Sequence, residues 1–272
     1  MQPLDSDRLL RESFVARVEH YPVLGSTNDR ARQCAATPSG PLPLLIVADQ
    51  QTAGRGRGAN RWWTGRGGLA CSLLIDSRAF EIGPPQGPLV ALAAGLAVVQ
   101  TVAPLLPDET AGIHWPNDVI AAGRKLAGVL IEVVPANLHV IGIGLNVNNT
   151  IQEAPEDVRR VAVTLRDLTD KEHDLTTVLL DVLGHLEGVL RRLAAAPAQI
   201  AAEADRLCLQ RGRVLTLRQG RRTVSGRCLG IAPDGALILE TPQGKRSFHS
   251  GTVEKESPGG DDGSGIGGGQ VA

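Results

Sequence analysis

A glycine-rich loop of about 19 residues constrains this fold more than any other feature of the sequence. The loop covers residues 50–68, carries four arginines and contains no acidic residue. Apolar runs of strand length, residues 44–48 and 69–75, lie on either side of it. Loops of this length in compact domains are usually functional or disordered. The pattern therefore predicts two strands of a sheet joined by a cationic loop.

The remainder of the first two thirds of the chain predicts a mixed α/β domain. Residues 88–102 have the composition of a buried helix, and their apolar stretch of about 15 residues is shorter than the roughly 18 to 20 that a membrane span needs. Residues 128–134 and 139–147 are apolar strands separated by a Pro-Ala-Asn turn. Residues 175–193 repeat apolar residues at three- and four-residue intervals, which predicts a helix that closes the domain.

Short alternating runs replace this pattern from residue 209 onward. They cover residues 213–217, 223–229 and 236–240, are separated by glycine turns, and predict a small all-β barrel without the aromatic platforms of nucleic-acid-binding barrels. The last sixteen residues contain seven glycines, which is typical of a disordered tail. We expect an N-terminal segment at 1–20, the α/β domain at 21–205, the barrel at 209–256 and the tail at 257–272.

Charge and cysteine usage exclude several classes of function. Lys and Arg total 28 against 29 Asp and Glu, so no global basic field indicates binding to DNA or to an anionic membrane. The four cysteines have no pair at the spacing of a zinc or redox motif and predict reduced core thiols. The N-terminus lacks the apolar run of a secretory signal. We expect a cytoplasmic protein that binds neither DNA nor membrane.

Five short motifs follow one another over residues 25–148. Each has an ordinary explanation by itself: Ser26 can cap a helix, and Gly142 and Gly144 can relieve a tight strand crossing. The arginine loop is not a nucleotide P-loop, because the Gly-Lys-Ser/Thr ending is absent. The motifs read Gly25-Ser-Thr-Asn28, Gln51-Thr-Ala-Gly-Arg-Gly-Arg57, Trp115-Pro-Asn-Asp118, Arg124-Lys-Leu-Ala-Gly128 and Gly142-Ile-Gly-Leu-Asn-Val-Asn148.

This ordered series resembles the biotin protein ligases, and the C-terminal barrel resembles theirs. The resemblance implies a class II synthetase-like α/β domain followed by a Src-homology-3-like barrel. It also implies an ATP-dependent enzyme that makes biotinyl-5′-AMP and transfers biotin to a lysine of a carrier domain. We place the biotin and adenylate site at Ser26, Thr27, Asn28, Gln51, Gly54, Arg55, Gly56, Arg57, Trp62, Asn117, Lys125, Gly128, Gly142, Gly144 and Asn146.

The chemistry explains why these residue types are needed. Biotin is a carboxylate and ATP a polyanion, so their reaction requires cations aimed at the developing charge, for which Arg55, Arg57 and Lys125 are the candidates. Hydroxyl and amide side chains suit the ureido ring of biotin, which has two N–H donors and one acceptor. Glycines let the backbone approach a ligand closely. Lys125 is one of only four lysines in the chain, which favours a requirement for a compact cation.

The transfer step needs a neutral lysine amine on the acceptor. Producing that amine at pH 7 costs about 4.6 kcal/mol for a lysine of ordinary pKa. Our hypothesis is that Asp118 orients or deprotonates the amine, so that Lys125, Arg57 and Asp118 form the catalytic set. The alternative is a turn aspartate that binds its own backbone. We also predict that the arginine loop orders when ligands bind and that Trp62 or Trp63 then covers the adenylate.

The sequence departs from the family pattern in two places. His114 precedes Trp-Pro-Asn-Asp where a lysine is usual, and the loop after Arg57 reads Gly-Ala-Asn-Arg rather than a more basic run. These changes put the need for a fixed charge at residue 114, and the energetics of loop closure, in doubt.

Other functions remain open at this point. They are a lipoate or octanoate ligase of the same superfamily, a biotin-sensing repressor, and a silent biotin-binding module. Only 25 residues precede Ser26, fewer than the roughly 60 of a helix-turn-helix domain, so we expect no operator binding. The resemblance implies a carrier domain of acetyl- or acyl-CoA carboxylase as acceptor, with pyruvate carboxylase as a further candidate. Monomer and homodimer are both open, and magnesium is expected with ATP, without a named protein ligand.

Overall fold

The computed structural model describes residues 4–37, 40–106, 108–135 and 137–258, so the predicted tail lies outside the described residues from 259 onward. The helices are α1 Ser6–Glu12, α2 Thr27–Ala36, α3 Val90–Val102, α4 Glu156–Val161, α5 Leu165–Thr169, α6 Leu175–Ala195 and α7 Pro197–Arg206. The strands are β1 Arg17–Leu24, β2 Leu44–Gln51, β3 Leu69–Asp76, β4 Ala111–His114, β5 Asp118–Ala121, β6 Arg124–Val134, β7 Leu138–Leu145, β8 Val214–Gln219, β9 Arg222–Ile231, β10 Leu237–Thr241, β11 Gly244–Phe248 and β12 Thr252–Ser257.

The first seven strands form one mixed sheet in the order β1-β2-β3-β7-β6-β5-β4. β1 runs parallel to β2, and every other neighbouring pair is antiparallel. The strands predicted from apolar runs, β2, β3, β6 and β7, form the middle of this sheet, where β2, β3 and β7 are buried over most of their length and β6 is only partly buried. The sequence prediction missed β1, β4 and β5, which are shorter or more polar.

α3 packs against one face of this sheet, and α6 packs on the outer side of α3. α3 is buried on nearly all sides between the sheet and α6, which is why its sequence is apolar all round. The helical stretch Gln86–Leu105 is long and apolar enough to cross a membrane by composition alone, and 67% of its most apolar window lies buried inside the protein. α6 presents a single apolar stripe to α3 and is exposed on its other side, as its periodicity predicts. Each buried Leu or Val here contributes about 1.5–3 kcal/mol of hydrophobic free energy.

α2 packs on the opposite face of the sheet, over β2, β3 and β7. Ala31 and Cys34 of α2 join Leu44, Ile46 and Val140 in a small apolar cluster. Ser26 caps this helix, because its side chain accepts a hydrogen bond from the backbone N–H of Asp29. The helix therefore begins at Thr27, and its N-terminal turn lies above the glycine-containing strand β7.

The last five strands form a separate antiparallel sheet in the order β11-β10-β9-β8-β12. Three of its strands were predicted from alternating apolar residues. The prediction missed β11 and β12, because they are mostly exposed and carry several charged residues. The predicted fold class, a mixed α/β domain followed by a small all-β domain, is confirmed.

Trp115 fixes the second sheet beside the first. Its side chain is only 1% exposed, its backbone N–H donates to Gln210 Oε1 at 2.7 Å, and its indole N–H donates to the Gly235 carbonyl at 3.1 Å. The edge strand β4 also bonds to the segment that leads into the second sheet, since the Ile113 N–H donates to the Leu207 carbonyl at 2.8 Å. β12 of the second sheet contributes Thr252 and Val253 to a cavity that opens on the α/β domain.

Candidate functional site

A cavity of about 240 Å³ lies between the N-terminus of α2, the arginine loop, strands β5 to β7 and strand β12. It brings together fourteen of the residues that the sequence predicts for the site, drawn from all five motifs. These are Ser26, Thr27, Asn28, Gln51, Arg55, Gly56, Arg57, Trp62, Asn117, Asp118, Lys125, Gly128, Gly142 and Gly144.

One polar surface of the cavity, which we call the floor, consists of Thr27, Asn28, Gln51 and Gly142 together with Ser72, which does not line the cavity but bonds to Thr27 and Asn28. Gln51 Oε1 accepts hydrogen bonds from the Thr27 backbone N–H at 2.8 Å and from its hydroxyl at 3.2 Å. Buried Ser72 lies 2.7 Å from Asn28 Oδ1, to which it donates, and 2.8 Å from Thr27 Oγ1. The floor is therefore an uncharged and internally bonded surface.

Gly142 is required by the packing of the floor. A Cβ at this position would lie 2.0 Å from Asn28 Oδ1, far inside van der Waals contact. The glycine was predicted to allow close approach of a ligand, and here the atom that approaches is the amide oxygen of Asn28.

Arg55 is held by two carboxylates. Its Nη1 lies 2.8 Å from Asp29 Oδ1 and 3.0 Å from the carboxylate of Glu132. Burial works against the charge of Arg55, but Glu132 and Asp29 outweigh it and raise the pKa of the guanidinium. Glu132 also accepts a hydrogen bond from Asn28 Nδ2 at 2.9 Å, so it contacts both the loop and the floor.

Arg57 has a different environment. Its guanidinium donates to the carbonyl of Gly251, just before β12, and no carboxylate of the described residues lies within ion-pair distance. Burial lowers the pKa of Arg57, and the more distant Asp118 offsets this only in part. Arg57 therefore brings an unpaired positive charge to the cavity and connects the loop to the second sheet.

Trp62 covers the strands beside the floor. A Cβ at Gly144 would lie 2.2 Å from the indole, and one at Gly128 would lie 3.2 Å from it. The Lys125 ammonium lies 5.8 Å from the centre of the indole ring, within cation–π range. Because neither glycine has a side chain, the indole of Trp62 can pack directly on the backbone of the two strands.

Lys125 and Asp118 form an ion pair at the edge of the cavity, with Lys125 Nζ 2.7 Å from Asp118 Oδ1. Lys125 lies on β6 and its side chain is 32% exposed, and Asp118 lies on the neighbouring strand β5 and its side chain is 26% exposed. We call Arg57, Trp62, Asp118 and Lys125 the rim. Asp118 pairs with a cation, which differs from a turn aspartate bound only to its own backbone.

The arginine loop is folded over the cavity by its own backbone. The Trp62 N–H donates to the Gly54 carbonyl at 3.0 Å, and the Gly56 N–H donates to the Asn60 carbonyl at 2.8 Å. These bonds make a short hairpin. The prediction that ligands order this loop stays a prediction.

Two predicted site residues lie outside the lining of the cavity. Gly54 supports the hairpin, because a Cβ there would lie 2.3 Å from the Trp62 carbonyl oxygen. Asn146 is buried beneath Lys125, with its Nδ2 donating to the Lys125 carbonyl at 3.4 Å and its Oδ1 accepting from Asn149. Both residues shape the site through their neighbours in this structure.

The sequence prediction missed several residues of the site. Ser72 and Glu132 carry no motif signal, because each is a single polar residue inside an apolar strand run. A polar residue at a buried strand position was the only available signal. Ser72 and Glu132 bond to lining residues without lining the cavity themselves. The lining residues that the sequence prediction did not assign to the site are Asn60, Arg61, Cys71, His114, Trp115, Pro116, Val129, Leu130, Ile143, Thr252 and Val253.

Two of these lining residues, Cys71 and His114, carry titratable side chains. Burial raises the pKa of the Cys71 thiol to about 12, so it remains protonated, and all four cysteines are buried and free. His114, which stands where the family usually has lysine, lies 3.0 Å from Glu256 Oε2 on β12. Within the described residues, no group of three or more His, Cys, Asp or Glu side chains could hold a metal ion.

The fold and the cavity together define an enzyme domain of the biotin and lipoate ligase type. The sequence model of the Biotin/lipoate A/B protein ligase family matches residues 22–148, and that of the Biotin protein ligase C terminal domain matches residues 212–255. The second match separates biotin ligases from lipoate ligases.

Known proteins agree with this assignment. A biotin--[acetyl-CoA-carboxylase] ligase of Mycobacterium tuberculosis is 34% identical over 247 residues, covering 88% of this chain and 90% of that protein. A bifunctional ligase/repressor of Bacillus subtilis is 32% identical over 247 residues, covering 86% of this chain and 73% of that protein. A biotin protein ligase from Aquifex aeolicus, solved in complex with biotin and ATP, superimposes with a TM-score of 0.76 at 28% identity, covering 89% of this chain and 99% of that one. The chain therefore belongs to the biotin protein ligase family, and the predicted ligase class is confirmed.

Proposed function

We propose that this enzyme activates biotin with ATP and transfers it to a lysine of a biotin carboxyl carrier domain. The observation that carries the proposal is that one cavity joins an uncharged, hydrogen-bonding floor to a rim with two cations. A neutral ring with a carboxylate tail fits the floor at one end and the rim at the other.

The floor supplies recognition of the ureido ring. Thr27, Asn28 and Gln51 offer hydroxyl and amide groups that can both donate and accept, which matches two N–H groups and one carbonyl. Their mutual hydrogen bonds hold them in place before the ligand arrives, which reduces the entropy lost on binding.

The rim supplies the chemistry of adenylation. A carboxylate oxygen of biotin attacks the α-phosphorus of ATP, a new P–O bond forms, and the bond to the β-phosphate bridge breaks to release diphosphate. Negative charge grows on the α-phosphate and on the leaving group. Lys125 and Arg57 are the side chains placed to stabilise that charge, since no carboxylate of the described residues lies within ion-pair distance of Arg57, and Lys125 pairs with Asp118.

Asp118 is assigned to the transfer step. The acceptor amine attacks the acyl carbon of the mixed anhydride, the C–O bond to AMP breaks, and the ammonium formed loses a proton. Asp118 Oδ1 is bound to Lys125, and a second ammonium can approach its other oxygen. Asp118 then orients the amine or accepts its proton.

We assign the carrier domain of acetyl- or acyl-CoA carboxylase as the acceptor and a cytoplasmic location, with 21–205 as the catalytic domain and 209–256 as the accessory domain. The contribution of Thr252 and Val253 to the cavity supports a shared site, because both residues come from β12. We assign no operator binding to this chain.

Mass spectrometry after incubation with magnesium ATP tests the proposal. Biotin should give biotinyl-adenylate, and a carboxylase carrier domain should then gain one biotin. Lipoyl products alone would move the chain to the lipoate ligases. Binding of biotin without either product would leave only a binding module, and biotin-dependent binding to a specific DNA sequence would indicate a repressor.

A further inference from the structure

We propose that Glu132 is a positioning residue that clamps the arginine loop to the floor through Arg55, and that Arg55 serves as an anchor rather than as a phosphate-binding cation. The inference rests on the proposed function, because it concerns the same cavity. None of the five sequence motifs contains Glu132.

The first observation is the position of Glu132 between two parts of the site. Its side chain is 19% exposed at the end of the apolar strand β6. One carboxylate contacts Asn28 Nδ2 of the floor at 2.9 Å and Arg55 Nη1 of the loop at 3.0 Å. A single side chain thus holds a floor amide and a loop guanidinium at once.

The second observation is that the charge of Arg55 is already neutralised. Asp29 lies 2.8 Å from the same Nη1. A second guanidinium, that of Arg32, lies farther from the two carboxylates, at 3.6 Å from Asp29 and 3.7 Å from Glu132, so Arg55 is their nearer partner. A phosphate would have to compete with both carboxylates for this cation. Arg57, two residues away, has no carboxylate within ion-pair distance among the described residues, so its positive charge can interact with a ligand.

The third observation concerns the backbone contacts that connect Arg55 to the rest of the loop. The residues around it begin the hairpin, with an isolated bridge between Arg55 and Arg61 and the hydrogen bond from Trp62 to Gly54. Six glycines between residues 54 and 68 give this segment little conformational preference of its own. Pinning Arg55 therefore fixes the hairpin that carries Arg57 and Trp62 to the cavity.

Glu132→Gln separates the two contacts of the clamp. The amide oxygen of glutamine still accepts a hydrogen bond from Asn28, while the charge opposite Arg55 is lost. Without ligands, we expect proteolytic cleavage at the loop arginines to become about 10-fold faster. With ligands, KM for biotin should rise about 10-fold, whereas kcat for adenylate formation stays within about twofold, because the lost interaction acts equally in ground and transition states.

Glu187→Gln is the matched control. It removes a carboxylate that pairs with Arg191 on the exposed side of α6, at 2.7 Å, and should leave both measurements unchanged. Asp29→Asn removes the more exposed partner of Arg55 and should give a smaller change in the same direction. Because Asp29 lies on the surface, this variant tests the clamp even if Glu132→Gln folds poorly.

A double variant, Glu132→Gln with Arg55→Gln, completes the cycle. If the two residues act as one clamp, the double variant should be cleaved no faster than the more sensitive single variant. Additive effects, or wild-type cleavage in both Glu132→Gln and Asp29→Asn, would overturn the inference. Cleavage is measured without substrates, so failure of the wild-type protein to make biotinyl-adenylate would refute the proposed function and leave this result intact.

Discussion

The floor and the rim of the cavity are built on opposite principles. In the floor, buried polar groups bind one another, and the surface is neutral and set before any ligand arrives. In the rim, partly exposed charged groups have few partners, and one of them comes from a glycine-rich loop. The difference indicates that the floor recognises a neutral ring, while the rim handles negative charge. Substitutions in the rim should change rates, and substitutions in the floor should change binding and stability.

Lys125→Ala should give the largest effect and is the strongest test of the rim. We expect adenylate formation to fall about 10²–10³-fold, because a cation facing the developing charge is removed. The thermal unfolding midpoint should change little, since the side chain is 32% exposed. Rapid quench with labelled ATP measures the rate, and Lys171→Ala, an exposed lysine elsewhere, is the control. A higher KM for biotin at unchanged kcat would assign Lys125 to recognition instead.

Asp118→Asn separates the two half-reactions. If Asp118 handles the acceptor amine, transfer from preformed biotinyl-adenylate should slow by about 10²-fold, the lower end of general-base effects, while adenylation slows far less. Single-turnover assays starting from either stage measure the two rates, with Asp181→Asn on the exposed side of α6 as control. Equal slowing of both steps would show that Asp118 only orients Lys125 through their 2.7 Å ion pair.

Gly142→Ala tests the packing of the floor. The new Cβ would lie 2.0 Å from Asn28 Oδ1, so the amide must move away from Ser72 and Glu132. We expect a loss of about 1–3 kcal/mol in stability and a rise of roughly 10-fold in KM for biotin, with kcat less affected. Calorimetry and steady-state kinetics check both effects. Gly184→Ala is the control, because its added Cβ meets nothing within 4 Å. A fall in kcat at unchanged KM would contradict the assignment of recognition to the floor and of catalysis to the rim.

The sequence predicts the members of the site better than their roles. Motifs identify Asn28, Arg55 and Lys125 because their residue types and order resemble a family. Whether a cation is free or neutralised depends on partners far away in the chain, such as Glu132, which lies 77 residues from Arg55. Sequence order does not reveal such pairs.

The secondary structure shows the same difference between features that the local sequence determines and features that depend on distant residues. Apolar runs predicted the buried strands β2 and β3, because periodicity and burial determine them locally. The short strand β4 and the charged strand β12 escaped prediction, since their pairing depends on neighbours that fold against them. β12 matters for the site, because Thr252 and Val253 line the cavity.

The smallest expected effect concerns acid stability of the strand that carries the floor glycine. His139 of β7 is 7% exposed, and burial lowers its pKa below the ordinary value of 6.5, opposed only in part by the backbone at Asn137. The unfolded chain therefore binds this proton more readily than the folded chain. Its contribution to stability is complete above pH 6.5 and is lost as the pH falls below that value toward the folded pKa.

The unfolding free energy of His139→Leu should accordingly decrease less than that of the wild-type protein as the pH falls from about 7 to 5. Part of the slope should remain, because burial and the nearby Lys171 also lower the pKa of His173. Chemical denaturation at several pH values measures the slope, and the control is His249→Gln, which changes an exposed histidine between β11 and β12. If the loss of stability in acid arises in β7, which carries Gly142 of the floor, KM for biotin should depend less on pH in this variant. The pH dependence of kcat should stay the same. An unchanged slope would mean that β7 tolerates the buried imidazolium and that acid acts elsewhere.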